Sequence, residues 1–338
     1  MARAASSLPI RVPDRDTEFA CDAGDTVLRA ALRSGFDLAY ECNSGGCGSC
    51  KIMVTEGQVT DLGRPTPGLT DRDRRKGRVL ACQTVPVTPC SITAPVVEHG
   101  RDVPRPRRME GRLVARRLLT SDMVEVGVDL AEAADFRPGQ YAMLAVDGRQ
   151  DRAYSMANLP GTTRWDFHVK RVPGGTLSNR IADLAVGDPV RVDGPYGLAH
   201  FRSTGRDVVC IAGGSGLAPA VSVARALAAA PDAHARRLLF FYGGRTAADL
   251  CAEAFVDECR PALKEVEFHQ ALSAADDDVG WTGGRGFVHD LVAATSLPDL
   301  DDLDFYVAGP PPMTDAVVRL LVIGMQVPTS RVHYDRFF

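Results

Sequence analysis

One nine-residue loop constrains this 338-residue chain more than any other stretch. It reads Cys42-Asn43-Ser44-Gly45-Gly46-Cys47-Gly48-Ser49-Cys50, a C-x4-C-x2-C pattern, with Cys82 as a distant fourth thiol. A fold that uses this loop must bring four sulfurs to one small volume. Ser44, Gly45, Gly46, Gly48 and Ser49 permit the tight backbone angles and close approach needed to wrap an inorganic core. Their N–H groups can then donate to the sulfurs and help set a potential. The spacing is that of a [2Fe–2S] cluster. Zinc also accepts four thiolates, but its usual knuckle is a pair of short C-x2–4-C units, and only one short unit exists here. A buried apolar cysteine cluster is the bland alternative. Cys90 rivals Cys82 as the fourth ligand; Cys82, in Leu-Ala-Cys-Gln behind an apolar strand, is preferred.

The remaining cysteines, Cys21, Cys90, Cys210, Cys251 and Cys259, are scattered. An odd total of nine, with no apolar leader in MARAASSLPIRV, argues against a disulfide framework and for a cytoplasmic protein. No apolar run approaches the ~18 residues of a membrane span, so no membrane is expected. The formal charge of −4 gives no reason to expect nucleic acid.

The pattern of elements predicts a multidomain α+β and α/β chain. Residues 1–98 read as short strands around one helix over 26–36, with Val27, Leu28, Ala31 and Leu32 at helical spacing and Asp25 as a candidate cap. Residues 99–108 are Pro- and Arg-rich without apolar periodicity, which is linker chemistry; a basic docking arm is the alternative. Residues 109–203 hold short strands punctuated by Gly and Pro, as in a small antiparallel barrel. From 204 to 338 strands and helices alternate, which predicts a parallel sheet with helices on its faces. Helices are expected over 220–230, 246–260 and 313–324.

Residues 1–98 resemble plant-type ferredoxins over nearly their whole length. That resemblance implies a β-grasp fold with Cys42, Cys47, Cys50 and Cys82 as iron ligands. Further on stands Arg152-Ala153-Tyr154-Ser155, preceded by Pro138-Gly139-Gln140-Tyr141. An Arg can clamp a diphosphate, a Tyr can lie along an aromatic ring and a Ser hydroxyl can reach a ring nitrogen. Singly, each is more ordinarily a surface charge, a barrel aromatic and a turn hydroxyl. Their order, followed by His168-Val169-Lys170-Arg171 and Gly174-Gly175-Thr176-Leu177-Ser178, resembles the ferredoxin–NADP reductase superfamily over 109–338. The resemblance implies FAD held by Arg152, Tyr154, Ser155, Gly175, Thr176 and Ser178, and more loosely by Val169 and Lys170. It places Ser155 at flavin N5, where hydride arrives, as the catalytic contact.

Gly213-Gly214-Ser215-Gly216-Leu217-Ala218-Pro219 follows an apolar strand and opens a helix. Unpaired helix-terminal N–H groups and glycine backbone suit a diphosphate there, and Pro219 suits a first turn. A ligand-free βα turn is the bland reading, but the resembled superfamily uses G-x-G-x-x-P for its dinucleotide. Gly243 and Arg245 after the next strand, and Gly309, Pro310 and Met313 in Ala308-Gly309-Pro310-Pro311-Pro312-Met313, stand at further strand ends where such sheets bind ligands. Ala308 departs from the superfamily's Cys, which puts any thiol role in doubt. Arg245 through Leu250, with Asp249, resembles NADH-preferring reductases, so NADH is expected over NADPH. In the same superfamily a C-terminal aromatic often covers the flavin ring, which makes Phe338, or Phe337, a candidate shield.

The order of modules implies a route from NADH to FAD to cluster to an external acceptor, because a flavin can accept hydride and release single electrons. The whole layout resembles reductase components of bacterial multicomponent oxygenases. The Glu41-to-Cys50 loop and the His333-Tyr334-Asp335-Arg336-Phe337-Phe338 ending look closest to reductases of soluble toluene and related aromatic diiron monooxygenases. The implied partner is the oxygenase (hydroxylase) component, reached directly or through a separate ferredoxin. Alternatives are a reductase for a Rieske-type dioxygenase, a deoxysugar dehydratase reductase, or an electron-carrier subunit that does not itself oxidise NADH.

Overall fold

The computed structural model describes residues 7–97, 103–274 and 280–338. Two compact units form, Met1–Arg107 together with Phe338, and Arg108–Phe337. The sequence-expected linker at 99–108 lies partly outside the described residues, and its last two residues are already strand.

In the first unit β1 (Ser7–Val12) and β2 (Thr17–Asp22) form an antiparallel hairpin. Helix α1 (Val27–Ser34) follows, then β3 (Lys51–Glu56), β4 (Val59–Asp61), a short helix α2 (Asp71–Arg75), β5 (Arg78–Leu80), β6 (Thr84–Pro86) and β7 (Cys90–Thr93). The main sheet runs β2-β1-β7-β3-β5, with β1 and β7 parallel. One helix gripped by a mixed sheet is the expected β-grasp. Val27, Leu28 and Ala31 are fully buried, which is the helical spacing read from the sequence. The cap differs. Thr26, not Asp25, accepts the Arg29 N–H, while Asp25 accepts the Thr26 N–H from outside the helix. Gly35, at φ +79°, stops the helix in the left-handed region.

The second unit opens with β8 (Arg107–Leu118), β9 (Met123–Leu130), β10 (Tyr141–Ala145), β11 (Arg152–Ser155), β12 (Arg164–Lys170), α3 (Thr176–Ala182) and β13 (Pro189–Tyr196). They make a six-stranded sheet, β11-β10-β13-β8-β9-β12. A bridge between Met156, just past β11, and Phe167 on β12 brings its two edges together into a near-barrel. Trp165, Phe167 and Val169 alternate into the barrel core, with Trp165 edge-on to Phe136.

The rest is β14 (Asp207–Gly213), α4 (Leu217–Ala228), β15 (Arg237–Gly244), α5 (Glu253–Asp257), β16 (Glu265–Leu272), β17 (Gly284–Arg285), α6 (Val288–Ala294), β18 (Leu303–Gly309), α7 (Pro311–Arg319) and β19 (Val332–Arg336). The parallel sheet runs β17-β16-β15-β14-β18-β19. Val208 to Ala212 of β14 are all buried because helices cover both faces of the sheet. The chain winds outward from β14 to β17, then restarts on the other side with β18. That reversal puts a crevice at the C-terminal ends of β14 and β18.

Two expectations need correction. Helix α4 begins at Leu217, three residues early, because Pro219 is accommodated in its first turn. The helix expected over 246–260 is two pieces, a 3₁₀ turn Ala247–Asp249 and the short α5. The ending His333 to Arg336 is packed at an edge, paired with Tyr306 to Gly309 as the edge strand β19.

Candidate redox and nucleotide sites

In the first unit the four thiols gather as two pairs. Cys42 Sγ and Cys47 Sγ are 3.3 Å apart, and Cys50 is hydrogen-bonded to Cys82. Two pairs suit two irons. Backbone N–H groups already aim at sulfur: Ser44 and Cys47 donate to Cys42 Sγ at 3.5 and 3.3 Å, and Ser49 donates to Cys47 Sγ at 3.4 Å. Gln83 Nε2 donates to Cys82 Sγ at 3.4 Å. These bonds stabilise thiolate, so the Cys42 thiol is pulled down to about 5, chiefly by the Cys47 S–H; Cys47 is pushed up by the same shared proton and by burial. The loop keeps its shape through glycine. Gly48 sits at φ +76° with its backbone against Gly68, whose N–H donates to the Gly45 carbonyl. Cys90 is elsewhere, its S–H donating to Thr88 O at 3.1 Å. The donor set therefore fits a [2Fe–2S] cluster, with Cys82 as the thiol brought to the loop.

In the barrel, β11 carries Arg152, Tyr154 and Ser155. Arg152 is exposed and donates to its neighbour's carbonyl. Tyr154 packs on the barrel core, which pushes its hydroxyl up to about 12. Ser155 is buried opposite Tyr141. The fully buried Gln140 of the Pro-Gly-Gln-Tyr turn donates to Gly197 O, and its backbone carbonyl takes the Met156 N–H, fixing the exit of β11. Gly175 caps α3, with Thr176 and Ser178 in its first turn; a Cβ at Gly175 would lie 2.7 Å from Ser178 Oγ. Val169 and Lys170 stand at the end of β12. The Val169 side chain is inside the barrel core, so only its backbone is available to a ligand. Lys170 Nζ lies 3.2 Å from Asp122 and 3.6 Å from Asp249.

At the crevice, the Gly213–Gly216 turn and the Gly309–Met313 segment pack directly on each other. A Cβ on Gly216 would stand 2.1 Å from the Ala308 carbonyl oxygen, and one on Gly213 2.6 Å from Met313 Sδ. Gly309, at φ +151°, allows the chain to turn from β18 into α7 behind Pro310. Pro219 is buried in the first turn of α4. Tyr242 Oη donates to Gly214 O at 3.2 Å, bracing the turn from β15. Gly243 backs onto Val288, and Arg245 stands largely exposed beyond it. Asp249 is occupied: its Oδ2 accepts the Arg245 and Thr246 N–H groups at 3.1 Å each. At the chain end, Phe337 N–H donates to Gly309 O, and Phe338 is 52% exposed.

Sequence reasoning missed the middle of α4. Ser222 Oγ donates to Asn158 O and Arg225 Nη1 to Ala157 O, each at 2.8 Å. Ala157 and Asn158 directly follow β11, so the helix that opens at the nucleotide turn also holds the strand of the Arg-Ala-Tyr-Ser motif. No motif marks a serine in an Ala/Val-rich helix. Ser222→Ala leaves a carbonyl without its partner and is expected to cost about 1–3 kcal/mol in urea unfolding.

Three histidines are held neutral, His168 and His333 buried and His200 half-buried. Arg202 can only donate, so His333 Nδ1, 2.9 Å away, is an acceptor, and burial pushes this ring down to about 3. Burial likewise lowers His200 to about 4 and His168, which lies beside Glu125 under Phe255. Each is neutral when folded but protonates near 6.5 when unfolded. Stability from these groups is therefore present above pH 6.5 and lost as pH falls below it, at up to about 1.4 kcal/mol per pH unit per group. The thermal midpoint of the second unit is expected to drop steadily from pH 7 to pH 5 at constant ionic strength; a flat profile contradicts the assignment.

Among the described residues no helix is long and apolar enough to cross a membrane. Residues 10–87 match the 2Fe-2S iron-sulfur cluster binding domain, residues 110–201 the oxidoreductase FAD-binding domain and residues 210–319 the oxidoreductase NAD-binding domain. The chain is 39% identical over 324 residues to a ferredoxin–NAD(P)+ reductase of Metapseudomonas resinovorans, covering 94% of this chain and 96% of the relative. It is 36% identical to the ferredoxin–NAD+ reductase component of the alkene monooxygenase system of Xanthobacter autotrophicus, over 94% and 97% of the two chains. Among solved structures, a ferredoxin reductase in carbazole 1,9a-dioxygenase superposes with a TM-score of 0.89 at 34% identity, covering 99% of this chain and all of the other.

Proposed function

Because the chain belongs to the ferredoxin–NAD(P)+ reductase components of multicomponent oxygenase systems, we propose that it takes electrons from NADH and delivers them singly to the oxygenase component of such a system. The observation that carries this is the co-occurrence in one chain of a paired four-thiol loop, an Arg-Ala-Tyr-Ser strand on a near-barrel and a glycine crevice at a sheet reversal. When bound, the nicotinamide supplies a hydride, FAD divides the electron pair and the [2Fe–2S] cluster carries one electron.

The residues have distinct tasks. Gly213, Gly214 and Gly216 present backbone N–H groups and close approach to the coenzyme diphosphate, Pro219 starts the helix behind them without a donor of its own, and Gly309, Pro310 and Met313 form the facing wall. Gly243 and Arg245 border the same crevice after β15. Arg152 offers a guanidinium to the FAD diphosphate, with Gly175, Thr176 and Ser178 at the α3 terminus. Tyr154 supports the ring system, and Ser155, buried at the end of β11, is the hydroxyl that would reach a ring nitrogen. Cys42, Cys47, Cys50 and Cys82 ligate iron. The aromatic ending, Phe337 or Phe338, is the candidate flavin shield: deleting both is expected to change the hydride-transfer rate or the coenzyme preference.

NADH is favoured over NADPH, with Asp249 unfriendly to a 2′-phosphate, and the same residue has a second task. Its carboxylate holds the turn after β15, and burial works against a charge that the N–H groups and Lys170 sustain below the usual range. Asp249→Ala is thus expected to lower kcat/KM for NADH without improving NADPH, and Asp249→Asn to recover part of it. A swing to NADPH in the alanine variant restores the simpler reading.

A hydroxylase component of an aromatic diiron monooxygenase is the preferred acceptor, and a dioxygenase component the second reading, since relatives serve both kinds of system. The cytoplasm supplies NADH and keeps the nine thiols reduced. The test is an anaerobic NADH titration followed by visible absorbance and EPR. Bleaching of a flavin band with a rhombic reduced-cluster signal supports the reading. Changes with dithionite but not with NADH favour a carrier subunit instead.

A further inference from the structure

The chain is acidic overall, yet residues 64–78 carry six Arg or Lys against two Asp. This stretch lies on the cluster loop. Gly68 donates to Gly45 O at 3.1 Å, its backbone presses on Gly48, and Arg74 Nη2 reaches back to Thr66 Oγ1 at 2.8 Å. Helix α2 is held there by Asp73, whose carboxylate closes the capping box on Thr70 and binds Lys51 and Arg78 at 2.9 and 3.1 Å. Lys51 directly follows Cys50. The acidic residue with partners is therefore turned inward, and Arg72, Arg74, Arg75 and Lys76 are left exposed. The loop itself is open on one side: Cys42, Cys50 and Cys82 are buried, but Cys47 is only partly so and Ser49 is exposed.

We propose that Arg72, Arg74, Arg75 and Lys76 form the docking surface for a protein acceptor with an acidic face. The inference rests on the reading that the cluster hands single electrons to another protein. Like charges fixed beside a redox centre attract an oppositely charged face, raise the encounter rate and orient the encounter towards the cluster edge. The acceptor class is therefore a one-electron protein whose own redox centre sits under carboxylates.

The test uses the full chain and two haem proteins as probes: soluble cytochrome b5, which is acidic, and cytochrome c, which is basic. The charge-reversed variant R72E/R74E/K76E is compared with the wild type at 20 and 200 mM NaCl. For wild type, kcat/KM with cytochrome b5 is expected to fall about tenfold as salt rises. Charge reversal is expected to lower that value about tenfold or more at 20 mM NaCl, flatten its salt dependence and accelerate cytochrome c. R72Q/R74Q/K76Q should lie between, which separates lost charge from a disturbed helix. Equal rates for wild type and both variants with cytochrome b5, or no opposite shift with cytochrome c, overturn the proposal. To keep this separate from the function reading, the same acceptors are mixed with protein whose cluster was reduced by dithionite. If NADH fails to reduce the cluster but charge reversal still slows cytochrome b5 in this format, the docking surface stands and the NADH route fails.

Discussion

Cys47→Ser is expected to reduce electron transfer to protein acceptors to background while NADH still bleaches the flavin band. Cys47 is one of a close thiol pair, 3.3 Å from Cys42, and the Ser49 N–H is aimed at its sulfur. A serine hydroxyl is a harder and far more basic ligand, so the substituted loop presents three thiolates to a core that needs four. The NADH-side residues all lie in the other unit, Arg108–Phe337, with its own barrel and sheet cores. The expected result is loss of the reduced-cluster EPR signal and of cytochrome reduction, with stopped-flow flavin reduction kept. Cys90→Ser is the control, because that thiol is bonded to Thr88 and should leave the signal intact. Loss of flavin reduction in the Cys47 variant gives the cluster a structural role as well.

Gly216→Ala is expected to cripple use of NADH, and Gly213→Ala to do so much less. Both glycines line the crevice, but they face different neighbours. The alanine methyl at 216 meets the Ala308 carbonyl oxygen at 2.1 Å and the Gly309 nitrogen at 2.8 Å, which are backbone atoms at the end of β18. They cannot move without parting the turn from the Gly309–Met313 wall. At 213 the nearest atom is Met313 Sδ, the far end of a flexible side chain. Overpacking of a close contact costs about 1–3 kcal/mol. Expressed as coenzyme affinity, that is roughly 5–150-fold. The check is the KM for NADH in stopped-flow flavin reduction, alongside dithionite reduction, which bypasses the crevice. Equal effects of the two substitutions would falsify the packing argument.

The cluster loop was legible because its ligands are local. Three thiols within nine residues, spaced by small residues, announce their chemistry before any fold is known. The βα turn after β14 was legible for a similar reason, since glycine and proline limit backbone geometry whatever surrounds them. Legibility failed where one residue had two available uses. Asp25 and Thr26 are both good caps, and the choice went to Thr26 because Asp25 also pairs with Arg33. Asp249 reads as a determinant of coenzyme choice, and the structure adds a use the sequence did not show: its Oδ2 accepts two N–H groups of its own turn. His168 occupies an outward position on β12 and would be solvent-facing but for Phe255 of α5 above it.

By itself, the sequence determined the kinds of chemistry: a thiolate cluster, an Arg-Ala-Tyr-Ser strand and a glycine turn at a helix start. Each depends on residues close in the chain, where spacing alone decides what they can hold. Tertiary structure alone decided which distant groups share a place: Cys82 with Cys50, Gly216 with Ala308, Ser222 with Asn158, and β19 along β18. These pairings have no spacing to read, because burial and hydrogen bonding select them only after the sheets and helices have packed.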